Sequence, residues 1–261
     1  AEYNGRKLNI FDTPGSDDFC GGLFSAFKVA DVGVMLLNAQ NGFEVGTEIQ
    51  ARYARKHEKP IIAVINQLDS EKASWENTLE SLRAASQVKP VIVQYPVNPG
   101  PNFDAFIDVL LMKMYKFKGD TGIREELEIP ESEMERAREL NQILTEAAAE
   151  NDDSLMELYF DKGVLTQDEM RKGLKFGLAK RDLIPVFCAS GKRDIGAKQL
   201  MEFIINVTPG PLEAPAFKTV DGKEVLADSS APTSLFVFRS SVEPHLGEMT
   251  YFRVVSGKVT E

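Results

Sequence analysis

Short apolar runs alternate with segments of helical spacing over the first 115 residues. Leu8 to Phe11, Val32 to Leu37 and Ile61 to Ile65 read as strands, whereas Phe24 to Ala30, Glu44 to Lys56 and Ala73 to Ala85 carry the spacing or composition of helices. Such alternation predicts an α/β fold, a mostly parallel sheet covered by helices. Residues 91–110, VIVQYPVNPGPNFDAFIDVL, interrupt it with a Pro/Gly-rich turn between two apolar stretches, the pattern of a hairpin-like insertion. A helical block follows. Ser132 with Glu135 and Thr166 with Glu169 form S/T-x-x-E capping boxes, each opening a helix, and Gly163 ends the short helix between them. Leu183 to Cys188 returns to strand character and Lys198 to Val207 to helix. Thr233 to Val259 then alternates apolar and polar residues around Pro244 to Gly247, as a β-hairpin does, and the Pro-rich TPGPLEAP of Thr208 to Pro215 marks a boundary before it.

With 261 residues, 43% of them hydrophobic, the chain can bury a substantial core as one large or two smaller domains. No stretch approaches the roughly 20 apolar residues of a membrane span, and the opening AEYNGRKLNIFD lacks the layout of a signal peptide. Cys20 and Cys188 each sit in an apolar run, which suits buried reduced thiols and a cytoplasmic protein with no membrane partner. The net charge of −10 argues against nonspecific nucleic-acid binding by the whole surface. Between Arg124 and Asp153 the net charge is −8, from eleven acidic and three basic side chains. That run is either a solvated helix face or a docking surface for a basic partner.

Three short constellations carry candidate chemistry, all at strand ends. Asp12-Thr13-Pro14-Gly15 follows the first apolar run. In nucleotide hydrolases an Asp at such a place holds Mg²⁺ through water, and the Gly offers its N–H to the terminal phosphate. Asn66-Gln67-Leu68-Asp69 follows IIAVI. A carboxylate there accepts both N1–H and N2–H₂ of guanine, which adenine cannot supply, although Asn or Asp after a strand is also an ordinary turn or cap. Ser190-Gly191-Lys192 follows the strand at 183–188, where backbone N–H groups could meet the guanine O6. Open α/β sheets bind ligands outside the carboxyl ends of their strands, and these three share that position.

The combination of NIFDTPGSDDF, INQLD, VIVQYPV with FIDVLLMKMYKF, the helical EIPESEMERARELNQILTEAAAENDDSLMELYF, LIPVFCASG and TYFRVVSGKV resembles translation elongation factor G. It is most similar to the elongation factor G-like paralogues, and the resemblance runs from Asn4 to the last residues. It implies a partial P-loop GTPase domain over residues 1–90 and 184–208, an inserted α+β subdomain over 91–183, a linker over 209–217, and the first strands of a β-barrel over 218–261. It also implies GTP or GDP as ligand, with Asp12 in the Mg²⁺ shell, Gly15 at the γ-phosphate, Asn66, Asp69 and Ser190 at guanine, and Thr13, Pro14, Gln67 and Gly191 also in the nucleotide site. The implied partner is the ribosome: its stalk protein through the acidic stretch at 124–153, and ribosomal RNA through the rest of the whole protein.

Three departures qualify the match. The chain contains no GxxxxGK[ST] loop, since the Gly-Lys pairs at 191, 222 and 257 lack the earlier Gly and the hydroxyl. A fragment of a longer protein is therefore expected, with a strand missing near the middle of its sheet. The family motif DTPGH is DTPGS here, so Ser16 stands where a histidine orients the attacking water. A serine hydroxyl is a poor base at neutral pH, and neither His57 nor His245 is placed by sequence to replace the histidine. Finally, NKxD has become NQLD, so Gln67 keeps a hydrogen-bonding amide and loses the charge. The resulting expectation is a translational GTPase of weakened hydrolysis. The alternative is a nonenzymatic ribosome-binding module that uses the fold as a scaffold.

Overall fold

The computed structural model describes residues 1–15 and 20–260. In chain order the elements are β1 (Glu2–Tyr3), β2 (Arg6–Lys7), α1 (Cys20–Val29), β3 (Gly33–Asn38), α2 (Val45–Lys56), β4 (Ile61–Asn66), α3 (Trp75–Ala85), β5 (Lys89–Ile92), β6 (Gln94–Pro96), β7 (Ala105–Asp108), β8 (Lys113–Phe117) and β9 (Arg124–Leu127). There follow α4 (Glu131–Ala149), α5 (Asp153–Lys162), α6 (Gln167–Lys180), β10 (Leu183–Cys188), α7 (Ala197–Val207), β11 (Phe217–Lys218), β12 (Glu224–Val225), β13 (Ser234–Glu243) and β14 (Gly247–Ser256). They form two compact units: residues 1–9 with 32–208, and residues 10–31 with 209–261.

The first unit is built on a parallel sheet of order β3-β4-β10-β5. Parallel strands need crossovers and are covered on both faces, which is why β4 and β10 read as nearly unbroken apolar runs. Ile62, Ala63, Val186 and Phe187 are accordingly buried, under helices such as α3, whose Trp75, Leu79 and Leu82 turn inward. An antiparallel sheet of order β6-β7-β8-β9 continues from the parallel one. The link is Val93, between β5 and β6, which donates its N–H to the Val186 carbonyl at 2.9 Å and accepts from the Val109 N–H at 2.8 Å. One apolar core therefore runs from Met35 through Tyr95 and Phe106 to Leu174 and Phe203.

The helical block packs through small residues. A Cβ on Gly173 of α6 would lie 2.3 Å from the Ala148 carbonyl oxygen of α4, so the two helices approach as closely as backbones allow. Thr166 and Glu169 make the expected capping box, and Gly163 ends α5 at φ 71°, a left-handed conformation that costs glycine little. The second expected box is absent. Pro130, fixed at φ −59°, opens α4 two residues earlier than anticipated, which leaves Ser132 inside the first turn with no cap to make.

Leu8 to Phe11 also departs from expectation. No described strand includes it, and Ile10 is 71% and Phe11 42% exposed. An apolar run becomes a buried strand only where a neighbour supplies hydrogen bonds, and among the described residues the chain pairs here only through the short β1–β2 hairpin. In the second unit Phe11 instead packs edge-on against Phe238 of β13, with ring centroids 5.5 Å apart. Arg253 of β14 holds this unit together: it donates to the Val29 carbonyl and to Asp31 Oδ1 (2.8 Å) and lies over the Phe217 ring. The hairpin of β13 and β14 leaves Leu235, Val237, Phe252 and Val254 exposed on one face, as antiparallel strands of a barrel would. Both cysteines are free thiols, Cys188 buried and Cys20 partly so. No helix among the described residues is long and apolar enough to cross a membrane.

Asp108, at the end of β7, is the costly group in the core. It is 5% exposed, accepts from Gln94 Nε2 and from the Leu111 N–H at 2.9 Å each, and borders a cavity of about 30 Å³ lined also by Gln199, Glu202 and Phe203. Burial, with the nearby Glu202 carboxylate adding to it, pushes its carboxyl from an ordinary 3.8 up to about 6. Ionisation is harder in the folded state, so Asp108 favours folding below pH 4 and that advantage is lost as pH rises through 6. Asp108→Asn should thus gain stability relative to the parent between pH 4 and pH 8, by up to about 3 kcal/mol for a shift of roughly two units. Denaturant melts of the two chains at both pH values measure this, and a constant difference would refute it.

Candidate functional site

Register brings two of the three constellations together. Parallel β4 and β10 pair Ile65 with Cys188, so both strands end at the same level and their loops leave side by side. The Ala189 N–H donates to the Ile65 carbonyl at 2.9 Å, and the Leu68 N–H returns a bond to the Ala189 carbonyl at 3.3 Å. On this base the side chains cross-link. Ser190, fully buried, donates its hydroxyl to Asp69 Oδ1 at 2.7 Å, and Asn66 Oδ1 accepts the Gly191 N–H at 2.9 Å.

The consequence for chemistry is an oriented carboxylate. Asp69 is only partly buried, and with Oδ1 held by Ser190 its remaining lone pairs are free to accept donors from a ligand. Guanine offers two adjacent donors, N1–H and N2–H₂, that match; adenine presents an acceptor at N1. The free acceptor positions of Asp69 therefore fit the guanine base. Gln67 is exposed at φ 62°, and its Oε1 accepts from Gln40 Nε2 at 3.4 Å, so the amide that replaces the family lysine engages the loop after β3. Beneath it Leu68 is fully buried, which anchors the loop in the core.

The phosphate end is different. The Gly191 N–H is committed to Asn66, so the Gly191-Lys192 pair is not a phosphate cradle, and Gly222 and Gly257 lie in turns of the second unit. Asp12, Pro14 and Gly15 are exposed and Thr13 partly so, all in the second unit. One exposed carboxylate does not make a Mg²⁺ site, and among the described residues Asp12 belongs to no group of three His, Cys, Asp or Glu side chains placed to hold a metal. These residues do not by themselves fit Mg²⁺. Ser16 lies outside the described residues. His57 caps the end of α2 and His245 is exposed in the turn between β13 and β14.

Residues outside the motifs also shape the site. Arg193 donates to the Phe103 carbonyl and to Asp120 Oδ1, and the Gly100 N–H donates to the Leu68 carbonyl at 2.7 Å. Only the Pro/Gly-rich turn around Gly100 left a trace in the sequence. Nothing local distinguishes Arg193.

The model of the elongation factor Tu GTP binding domain matches residues 1–210. The chain belongs to that family. It therefore carries a GTP-binding domain of the translation-factor type. Among solved structures, the crystal structure of a protein from Thermus thermophilus is similar at a TM-score of 0.84 and 28% identity. The match covers 98% of this chain and 36% of the Thermus chain, so the segment spans little more than a third of that relative's length.

With an oriented carboxylate at Asp69 but no GxxxxGK[ST] motif in its sequence, the chain by itself should not bind GTP measurably, and GDP should behave as GTP does. Calorimetry on residues 1–261 checks this. Submicromolar binding of either nucleotide would mean that phosphate contacts come from residues other than the missing motif.

Proposed function

We propose that the whole protein is a ribosome-associated, elongation factor G-like GTPase that acts in the cytoplasm, and that Ser16 weakens its hydrolysis. The observation that carries the reading is the pairing of Asp69 with Ser190 and of Asn66 with Gly191 at adjacent strand ends, inside a domain of the elongation factor Tu family. On this reading Asn66, Gln67, Asp69, Ser190 and Gly191 form the guanine end of the GTP or GDP site. Asp12 to Gly15 serve the phosphate end together with groups that this chain does not contain, and Mg²⁺ needs ligands besides Asp12. Residues 1–90 and 184–208 are then the nucleotide domain, 91–183 the inserted subdomain, 209–217 a linker and 218–261 the start of the barrel. Ribosomal RNA is met by the rest of the whole protein.

A second reading rests on DTPGS and the missing GxxxxGK[ST] motif: a nonenzymatic ribosome-binding module on the same scaffold. Ribosome-stimulated GTP turnover by the whole protein separates the two. If Ser16 is what slows hydrolysis, Ser16→His restores a water-orienting group and raises turnover on ribosomes at least about tenfold, roughly 1.4 kcal/mol off the barrier, with little change in nucleotide affinity. If Ser16 instead caps the helix that follows it, the variant loses about 1 kcal/mol of stability and gains no rate. Single-turnover hydrolysis beside melting temperatures distinguishes these outcomes.

The acidic stretch supplies the docking surface for the stalk protein. Glu135 and Glu139 are both exposed one turn apart on α4, so reversing both to Lys puts like charge toward a basic partner. Ribosome association should slow, most clearly at low salt, where screening is weakest. Stopped-flow association at the parent rate would make the stretch a solvated face only.

A further inference from the structure

The loop that meets guanine does not hold itself in place. Ser190 orients Asp69, and the same hydroxyl oxygen accepts the Arg193 N–H at 3.3 Å. The Arg193 side chain then leaves the nucleotide loop for the inserted segment. Its Nη1 donates to the Phe103 carbonyl at 2.6 Å and its Nε to Asp120 Oδ1 at 2.7 Å. Phe103 is fully buried, and its N–H donates to the Gly100 carbonyl, while the Gly100 N–H donates to the carbonyl of Leu68, the residue before Asp69. The bonds close a circuit from Asp69 through Ser190, Arg193, Phe103, Gly100 and Leu68 back to Asp69. A second contact tightens it: a Cβ on Gly122, at φ 63°, would lie 2.1 Å from Asp194 Oδ2, so the turn carrying Asp120 is pressed against the residue after Arg193.

We propose that Arg193 is a positioning residue for base recognition, through which the loops of the inserted antiparallel sheet set the geometry of the Ser190–Asp69 pair. The inference rests on the reading of Asp69 as the guanine contact. Arginine suits the task because its planar fork can donate in two directions at once, to a neutral carbonyl and to a carboxylate; the point-like ammonium of lysine cannot span both in the same geometry. The Phe103 bond carries more weight than the Asp120 pair. The carbonyl belongs to a buried residue, whereas the Asp120 side chain is 62% exposed and screened by solvent. The inserted subdomain is by this route mechanically joined to the base site, so a partner seated on it would act on nucleotide affinity through Arg193.

The test uses the whole protein and compares affinity for GDP with affinity for inosine diphosphate, which lacks the 2-amino group and so one of the two donors to Asp69. Asp69→Ala is the control for the underlying reading and should remove the preference for GDP. Arg193→Ala should weaken GDP binding at least fivefold and lower the preference at least threefold; Arg193→Lys should fall between it and the parent. Asp120→Ala, which leaves the Phe103 bond in place and removes only an exposed partner, should fold normally and lower the preference less than Arg193→Ala does. If Asp69→Ala acts while both Arg193→Ala and Asp120→Ala merely lower the melting temperature with the preference intact, Arg193 is a structural tie and the proposal is overturned. If Asp69→Ala itself leaves the preference unchanged, the guanine reading fails first.

Discussion

One stretch of backbone, Lys89 to Pro96, belongs to two sheets at once. Its first half runs parallel to β10 and its second half antiparallel to β7, and the change of partner occurs at Val93, whose N–H and carbonyl go to opposite neighbours. Backbone groups buried in an apolar core must be paired, so neither sheet can shift without breaking bonds of the other. That constraint makes the inserted segment part of the same core as the parallel sheet. It also fixes β10 between β4 and β5, and therefore the level at which the Ser190 loop emerges.

The site follows from that placement. Two parallel strands that end in register deliver two loops, and a serine on one and an aspartate on the other become neighbours 121 residues apart in sequence. The fold supplies position, and the chemistry comes from what stands there: an acceptor-only carboxylate with one oxygen already held. The same continuity of core explains Asp108. Joining the sheets buries the end of β7 against α7, and its carboxylate is accommodated by Gln94 and the Leu111 N–H at an energetic cost that only protonation relieves.

Much of this was legible in the sequence because parallel strands covered on both faces appear as plain apolar runs, as β4 and β10 do; β3 reads the same way although Val34 and Leu36 leave one of its faces exposed. The Thr166 box was legible because both of its partners lie three residues apart. Leu8 to Phe11 misled for the converse reason: its apolarity signals a wish to be buried and says nothing of whether a neighbour is present. Ser132 misled because Pro130 had a stronger claim on the helix start. Arg193 was invisible, since its side-chain partners lie 73 and 90 residues away and no local pattern announces a bond to a carbonyl.

On the proposed function Asp69, oriented by Ser190, reads the 2-amino group and N1–H of guanine. Xanthine carries a carbonyl where guanine has that amino group, so an amide at residue 69 can donate where the carboxylate accepts. The direct measurement is the affinity of the whole protein and of its Asp69→Asn variant for GDP and for xanthosine diphosphate. The account predicts that the parent prefers GDP and the variant prefers xanthosine diphosphate, with the sum of contacts otherwise unchanged. A parent that does not distinguish the two, or a variant that keeps the preference for GDP, would contradict it.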